Sequence, residues 1–243
     1  MGFQKLALTV VSLAVSLTSL PRVIQAAPIY IDFGDRRGSA SQLVDGTPVT
    51  WNVVPTVNPF APLNLADSDG GNTGIQLSAM TGFDTSYDDG LTGGEWNMSR
   101  IPWSVGEATH DNFAANSSAV VTFSNLESKP YRVELISSRD SGTSRNTVYR
   151  ANGDLADLGG VNGSNPFNAN TDGWLNRSIM VWQQVMPDLG SEIHIDLAPQ
   201  SGQWGYVNAI RLQDVPEPST LLLFSLGGLI AVIVARRRIT ARA

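Results

Sequence analysis

Cysteine is absent from this chain of 243 residues, which excludes disulfide bonds, thiol catalysis and cysteine metal sites. Histidine is scarce, since only His110 and His194 occur, and neither has a partner at metal-ligand spacing. No Gly-x-Ser-x-Gly segment is present, so a Ser-His-Asp arrangement would have to use one of these two histidines. Without a catalytic motif, we predict that the chain is not an enzyme.

Positive charge is scarce in the central part of the chain. All 22 acidic residues lie within residues 28–218, whereas six of the 16 basic residues lie outside that segment. Its formal charge, ten minus 22, is therefore −12, against −6 for the whole chain. A segment this acidic repels polyanions, which argues against nucleic acid or anionic lipid as a partner.

A short apolar run lies near the start of the chain. Residues 6–20 are mostly apolar, follow a single positive charge and end before Pro21. Ala26 and Ala27 then provide the small residues at which a signal peptidase cuts. We therefore predict that residues 1–27 are a secretory signal peptide with a helical apolar segment, and that the chain is exported.

A second apolar run, residues 221–235, lies near the end of the chain and holds no charge. It is shorter than the roughly 20 residues that cross a bilayer comfortably. Arginines after it cannot cross the bilayer cheaply, so they would stop this hydrophobic helix with the C-terminus in the cytoplasm. The stop residues are Arg236, Arg237 and Arg238. The motif before the run consists of Val215, Pro216, Glu217 and Pro218.

These three parts, in this order, resemble the PEP-CTERM tail of Gram-negative bacteria. The resemblance covers residues 215–238, and it implies that the tail is a sorting signal comparable in logic to a removable anchor signal. It further implies processing near the Pro-Glu-Pro motif by a membrane peptidase, an exosortase, with the inner membrane as a temporary stop. The alternative interpretation is an ordinary single-span anchor.

Short stretches of alternating apolar and polar residues, separated by Gly, Asn and Asp turns, recur between the two ends. This pattern is typical of β-strands, while sustained helical periodicity is nearly absent. We predict strands at residues 29–33, 49–54, 74–80, 118–123, 131–137, 147–150, 179–185, 192–197 and 205–212. Residues 82–116 have no sustained period and predict a long loop or a set of short pieces. The predicted fold is all-β, a single jelly-roll-type β-sandwich over residues 28–214.

Several short segments resemble the framework of galactose-binding-like or malectin-like jelly rolls. They are residues 31–34, 51–52, 131–135 and 205–210, with Leu126 before the third. The resemblance implies that the final strand pairs near the first, and it implies carbohydrate binding, although a fold does not by itself fix a function.

Four of the six tryptophans lie in polar surroundings, flanked by Gly or Pro, where an indole face could stack on a sugar ring. These candidates are Trp96, Trp103, Trp174 and Trp204. The alternative is that most of them cap the ends of the sandwich core. Trp51 and Trp182 lie within strand patterns and are predicted to be buried.

An acidic turn at residues 67–72 carries the oxygen donors that Ca²⁺ prefers, and a structural Ca²⁺ is the one cofactor we expect. The predicted ligands are Asp67, Asp69 and Asn72. The turn is not an EF-hand, because Ser78 occupies the position of the closing glutamate. Solvated Asp-Gly turns without a metal are the alternative.

Together these features predict an exported protein of the cell surface or extracellular matrix. We expect a non-catalytic module that contacts extracellular polysaccharide or serves a structural role. The alternative function is a small surface hydrolase acting on glycans or their esters, with His110 or paired carboxylates in its site.

Overall fold

The first strand, β1 (Ile29–Phe33), illustrates why this sequence forms sheets. Ile29, Ile31 and Phe33 contribute to one hydrophobic core, while Tyr30 between them packs in a second cluster on the opposite face. Successive side chains of a strand point to opposite faces, so alternate residues of β1 pack in the two different clusters. All five residues of the strand are buried, because both faces of this sheet are covered.

The computed structural model describes residues 26–34, 41–44, 47–56, 60–88, 103, 111–140, 142–157, 166–176 and 178–215. The strands after β1 are β2 (Ser41–Val44), β3 (Thr47–Val54), β4 (Leu63–Ala66), β5 (Asn72–Thr81), β6 (Thr85–Asp88), β7 (Asp111–Ala115), β8 (Ala119–Ser124), β9 (Tyr131–Ile136), β10 (Asn146–Ala151), β11 (Asp154–Leu155), β12 (Phe167–Asn168), β13 (Met180–Val185), β14 (Ile193–Pro199), β15 (Gly205–Val207) and β16 (Ala209–Asp214). A π-helix, Ala169–Leu175, follows β12.

Two large sheets form the sandwich. One has the strand order β13-β9-β16-β1-β3-β2, and the other has the order β11-β10-β14-β8-β5-β4, with β12 paired to β10. Apolar side chains from both sheets form one core, including Ile31 and Val133 from the first and Leu77, Val121 and Ile195 from the second. A smaller sheet, β15-β7-β6, contributes Phe113 and Val207 to the same core.

The chain enters and leaves the sandwich at the same end. Strand β1 pairs antiparallel with β16, with Ile29 opposite Leu212, and β1 pairs parallel with β3 on its other side. Lys129 forms an ion pair with Asp214, with 2.6 Å between Nζ and Oδ2, and the Val215 N–H donates to the carbonyl oxygen of Pro130 at 3.0 Å. The start of β1 and the end of β16 are therefore neighbours.

The structure confirms the predicted fold class, an all-β sandwich of jelly-roll type. Each predicted strand corresponds to an observed one, except that residues 205–212 form two strands separated at Asn208. The sequence patterns missed β2, β4, β6, β7, β11 and β12, together with the π-helix. The predicted helical segments at the two ends lie outside the described residues. Within the described part of the chain, no helix has the length and apolar character needed to cross a membrane.

Candidate functional site

Three aromatic side chains and one arginine meet at the end of the sandwich opposite to the chain exit. Tyr87 lies on β6, Tyr206 on β15, Trp204 directly before β15, and Arg139 shortly after β9. Ile136, at the end of β9, pairs with Ala209, at the start of β16, so Arg139 and Tyr206 lie far from Asp214 along the sheet. We call these four residues the Tyr87 cluster.

The Arg139 guanidinium is the centre of the Tyr87 cluster. Its carbon lies 3.8 Å from the centroid of the Tyr87 ring, and its Nη1 donates to the Tyr206 hydroxyl at 2.7 Å. Trp204 meets Tyr87 edge to face, with ring centroids 6.1 Å apart and planes at 86°. A cation over an aromatic face is attracted by the ring quadrupole, so the arginine holds the rings in a fixed arrangement.

Tyr149 supports the cluster from inside the sandwich. Its hydroxyl donates to the Tyr206 carbonyl oxygen at 2.7 Å, accepts the Tyr206 N–H at 3.2 Å and lies 2.8 Å from the Ser137 hydroxyl. Burial raises the pKa of Tyr149 to about 12, because the charged phenolate would lose its hydration. Burial also raises the pKa of Tyr206, although the nearby Arg139 partly offsets this effect. Both phenols are therefore neutral at physiological pH.

Asn208 holds the backbone beneath the cluster. Its side-chain oxygen accepts the Ser138 N–H at 2.8 Å, and its amide nitrogen donates to the carbonyl oxygens of Asp111 at 3.0 Å and of Ser138 at 3.2 Å. The side chain is completely buried. Because Ser138 directly precedes Arg139, this amide fixes the segment that presents the guanidinium.

The tryptophans singled out from the sequence separate into two places. Trp204 is partly exposed in the Tyr87 cluster, whereas Trp103 is only 2% exposed and packs against Tyr30 and Trp51 on the outer face of the six-stranded sheet. The Trp103 ring therefore does not face solvent. Trp174 is partly buried against that same apolar group, and Trp96 lies outside the described residues. Trp51 and Trp182 are buried, as predicted.

The outer face of the six-stranded sheet also carries a charged network. Glu134 is 3% exposed and accepts from Arg132 Nε at 2.7 Å and from Arg211 Nη1 at 3.1 Å. The Arg211 guanidinium lies 6.0 Å from the centroid of Tyr30, which packs against Trp51. Each charge in this network therefore has a partner of opposite sign.

The predicted calcium ligands shape a turn. Asp67 Oδ1 accepts the N–H groups of Asp69 at 3.0 Å and Gly71 at 2.8 Å, and Asn72 Oδ1 accepts the Gly74 N–H at 3.0 Å. The hydrogen bonds from Asp69 and Gly74 are those of Asx turns, which form without a metal. Calcium binding at this turn stays a prediction.

A cavity of about 240 Å³ lies at the end where the chain leaves the sandwich. Its lining includes Asp67, Glu127, Lys129, Tyr131 and Asp214. Although burial disfavours the ammonium, hydrogen bonds to Asp214 and Glu127 raise the pKa of Lys129 above its usual value. The Lys129 ammonium therefore stays charged beside its two carboxylate partners.

Of the two histidines, one lies in the part of the chain that the structure describes. His110 lies outside the described residues, as do Pro216, Glu217, Pro218 and the three stop arginines. His194 lies on β14, and its Nδ1 is 3.2 Å from the Thr122 hydroxyl on β8. Thr122 is buried, with 8% of its surface exposed.

The tail of the chain matches a known family model. Residues 214–238 match the PEP-CTERM protein-sorting motif. This match confirms the resemblance drawn from Val215, Pro216, Glu217 and Pro218, and it implies export and a membrane-anchored precursor. No curated protein matches the chain.

The fold is similar to plant receptor ectodomains. The ANXUR2 extracellular domain from Arabidopsis thaliana has a TM-score of 0.51 and 12% identity, with 80% of this chain and 49% of that chain covered. The ANXUR1 extracellular domain from Arabidopsis thaliana has a TM-score of 0.47 and 16% identity, with 79% and 49% covered. The plant receptor-like kinase FER has a TM-score of 0.45 and 16% identity, with 79% and 43% covered. The chain thus spans less than half the length of these structures, and the ANXUR2 likeness agrees with a malectin-like jelly roll.

Sequence reasoning found one member of the Tyr87 cluster, Trp204. Tyr206 lies in residues 205–210, one of the segments that resemble malectin-like jelly rolls. No sequence pattern indicated that Tyr87 or Arg139 would contact it. One available signal was charge, because Arg139 is a basic residue shortly after a strand of a strongly acidic domain.

Proposed function

We propose that this exported domain binds extracellular polysaccharide through the Tyr87 cluster. The observation that carries the proposal is the partly exposed pair Tyr87 and Trp204, held edge to face beside the Arg139 guanidinium. An indole or phenol face packs against the apolar C–H face of a pyranose, and a guanidinium donates hydrogen bonds to sugar oxygens. The sandwich fold and the place of the cluster, away from the chain exit, support this function.

The second part of the proposal concerns delivery. The PEP-CTERM tail would be held temporarily in the inner membrane by its hydrophobic run, with Arg236, Arg237 and Arg238 on the cytoplasmic side. An exosortase would then process the chain near Pro216 and Pro218. The product would be a non-catalytic module at the cell surface or in the extracellular matrix.

A glycan array probed with the full-length chain in detergent tests the binding proposal. Trp204→Ala should weaken binding to the glycans that the wild-type chain recognises by about tenfold or more, because a stacked aromatic ring is a typical hot spot. The matched control is Trp174→Ala, which truncates another partly buried tryptophan outside the Tyr87 cluster and should leave binding unchanged.

Two results with the variants would contradict the proposal. One is equal binding by the wild-type chain and the folded Trp204→Ala variant. The other is turnover of glycans or glycan esters that is lost in His110→Ala, which would support the alternative of a surface hydrolase. An absence of any glycan binding by the folded wild-type chain would favour a purely structural role.

A further inference from the structure

We infer that Asp188, Glu192 and His194 bind a divalent transition-metal ion, with zinc as the best match. The first two residues lie in the turn between β13 and β14, and His194 is the second residue of β14. One ligand atom from each residue lies within 4.8 Å of the other two. This site is separate from the Tyr87 cluster and from the predicted calcium turn.

The distances in this group match a coordination shell. His194 Nε2 lies 3.5 Å from Asp188 Oδ2 and 3.4 Å from Glu192 Oε2. In a tetrahedral site with metal–ligand bonds of about 2.1 Å, the ligand atoms lie about 3.4 Å apart. A charge-assisted hydrogen bond would instead bring nitrogen and oxygen to about 2.8 Å. Two of the three edges therefore already have the length that a tetrahedral ion requires.

The imidazole is oriented from outside the group. Thr122, on the neighbouring strand β8, places its hydroxyl 3.2 Å from His194 Nδ1, so the opposite nitrogen, Nε2, faces the two carboxylates. Metal-binding histidines commonly use their second ring nitrogen in this way, because the contact sets the tautomer and the direction of the ring.

The two oxygens of the Asp188 carboxylate make different contacts. Its Oδ1 accepts the N–H groups of Gly190 at 2.8 Å and Glu192 at 3.0 Å, which fixes the turn. Its Oδ2 is the atom that faces His194. The turn thus presents a carboxylate oxygen in a set direction, and a metal would bind without reordering the backbone.

The donor set selects the class of metal. One imidazole nitrogen and two carboxylate oxygens suit zinc, nickel or cobalt, whereas calcium prefers six to eight oxygen ligands. The side chains are between about a third and a half exposed, so a water molecule from solvent can complete a fourth position. We expect the ion to cross-link the β13–β14 turn to the sheet.

Calorimetric titration of the tag-free, chelator-treated full-length chain with zinc chloride tests this site. We expect one zinc ion per chain, and we expect His194→Ala to weaken binding by at least about 100-fold, since it removes a direct ligand. Asp188→Asn and Glu192→Gln should each weaken binding by about tenfold or more, with circular dichroism confirming that every variant is folded. Cobalt should give the visible absorption of a tetrahedral ion, and that signal should be lost in His194→Ala.

The chain offers a matched control, because His110 is its only other histidine. His110→Ala should bind zinc as the wild-type chain does. The inference is overturned if the wild-type chain gives no heat with zinc, or if folded His194→Ala retains wild-type affinity. Equal affinity for calcium and zinc would overturn the assignment to a transition metal.

Discussion

Replacing Asn208 by Ala tests whether the hydrogen bonds of this side chain hold the segment that presents Arg139 in the Tyr87 cluster. Asn208 is completely buried between β15 and β16, and its side chain makes three hydrogen bonds to backbone groups of Ser138 and Asp111. Alanine fills the same backbone position but offers no donor or acceptor. The substitution therefore leaves one buried N–H and two buried carbonyl oxygens without this partner.

The expected loss of stability follows from these three groups. A buried polar group that loses its hydrogen-bond partner costs about 1–3 kcal/mol, and relaxation of the backbone toward water lowers the sum. We expect Asn208→Ala to reduce the free energy of unfolding by about 3–4 kcal/mol. Domains of this size shift by about 2–4 °C per kcal/mol, so the melting temperature should fall by about 6–16 °C.

Urea unfolding followed by tryptophan fluorescence measures this effect. The matched control is Asn64→Ala, since Asn64 is exposed on β4 and accepts one hydrogen bond, from Gln76, at 2.7 Å. That exposed substitution should change the free energy of unfolding by no more than about 0.5 kcal/mol. If Asn208→Ala costs less than about 1 kcal/mol, the three hydrogen bonds do not hold this segment, and the reasoning is refuted.

Two further predictions concern the same end of the sandwich. Burial raises the pKa of Tyr149 from 10.0 to about 12, so its neutral form stabilises the folded state fully below pH 10. About 3 kcal/mol of stability should then be lost as the pH rises from 10 through 12. In a pH series of urea unfolding, Tyr149→Phe should reduce the fall in the free energy of unfolding over this range. An unchanged fall would contradict the prediction. A Cβ on Gly173 would lie 2.0 Å from the carbonyl oxygen of Ser137, so Gly173→Ala should lower the melting temperature through a loss of about 2 kcal/mol or more. Exposed Thr171→Ala in the same π-helix is the control, and equal melting of the two variants would contradict the predicted clash.

Local patterns predicted the strands that have one face in the main core. Ile29, Ile31 and Phe33 alternate with more polar neighbours, and that period identifies a strand without any knowledge of its partners. Strand β7 was missed for the opposite reason. In Asp111–Ala115 the two polar residues come first and the three apolar residues follow, so no period of two appears in the sequence, although all five residues are buried.

The candidate site depends on contacts that no local pattern contains. Arg139 is 67 positions from Tyr206, and its other aromatic partner, Tyr87, lies on a strand that the sequence did not reveal. Trp103 illustrates the same limit, because its polar neighbours predicted an exposed ring, whereas long-range packing on Tyr30 and Trp51 buries it. Residue type and local surroundings thus selected Trp103 and Trp204 alike as stacking candidates and could not distinguish the buried ring from the partly exposed one.

The position of β16 determines how the domain carries a mechanical load. This strand leads to the C-terminal tail, and it lies inside its sheet with β9 on one side and β1 on the other. If the tail is held while a pull enters at Arg139, shortly after β9, the load crosses from β9 to the antiparallel β16 and puts the hydrogen bonds between them in shear. Bonds loaded in shear must break together, whereas bonds at the end of a peeled edge strand break one at a time. A tail attached to an interior strand would therefore resist such a pull better than one attached to an edge strand.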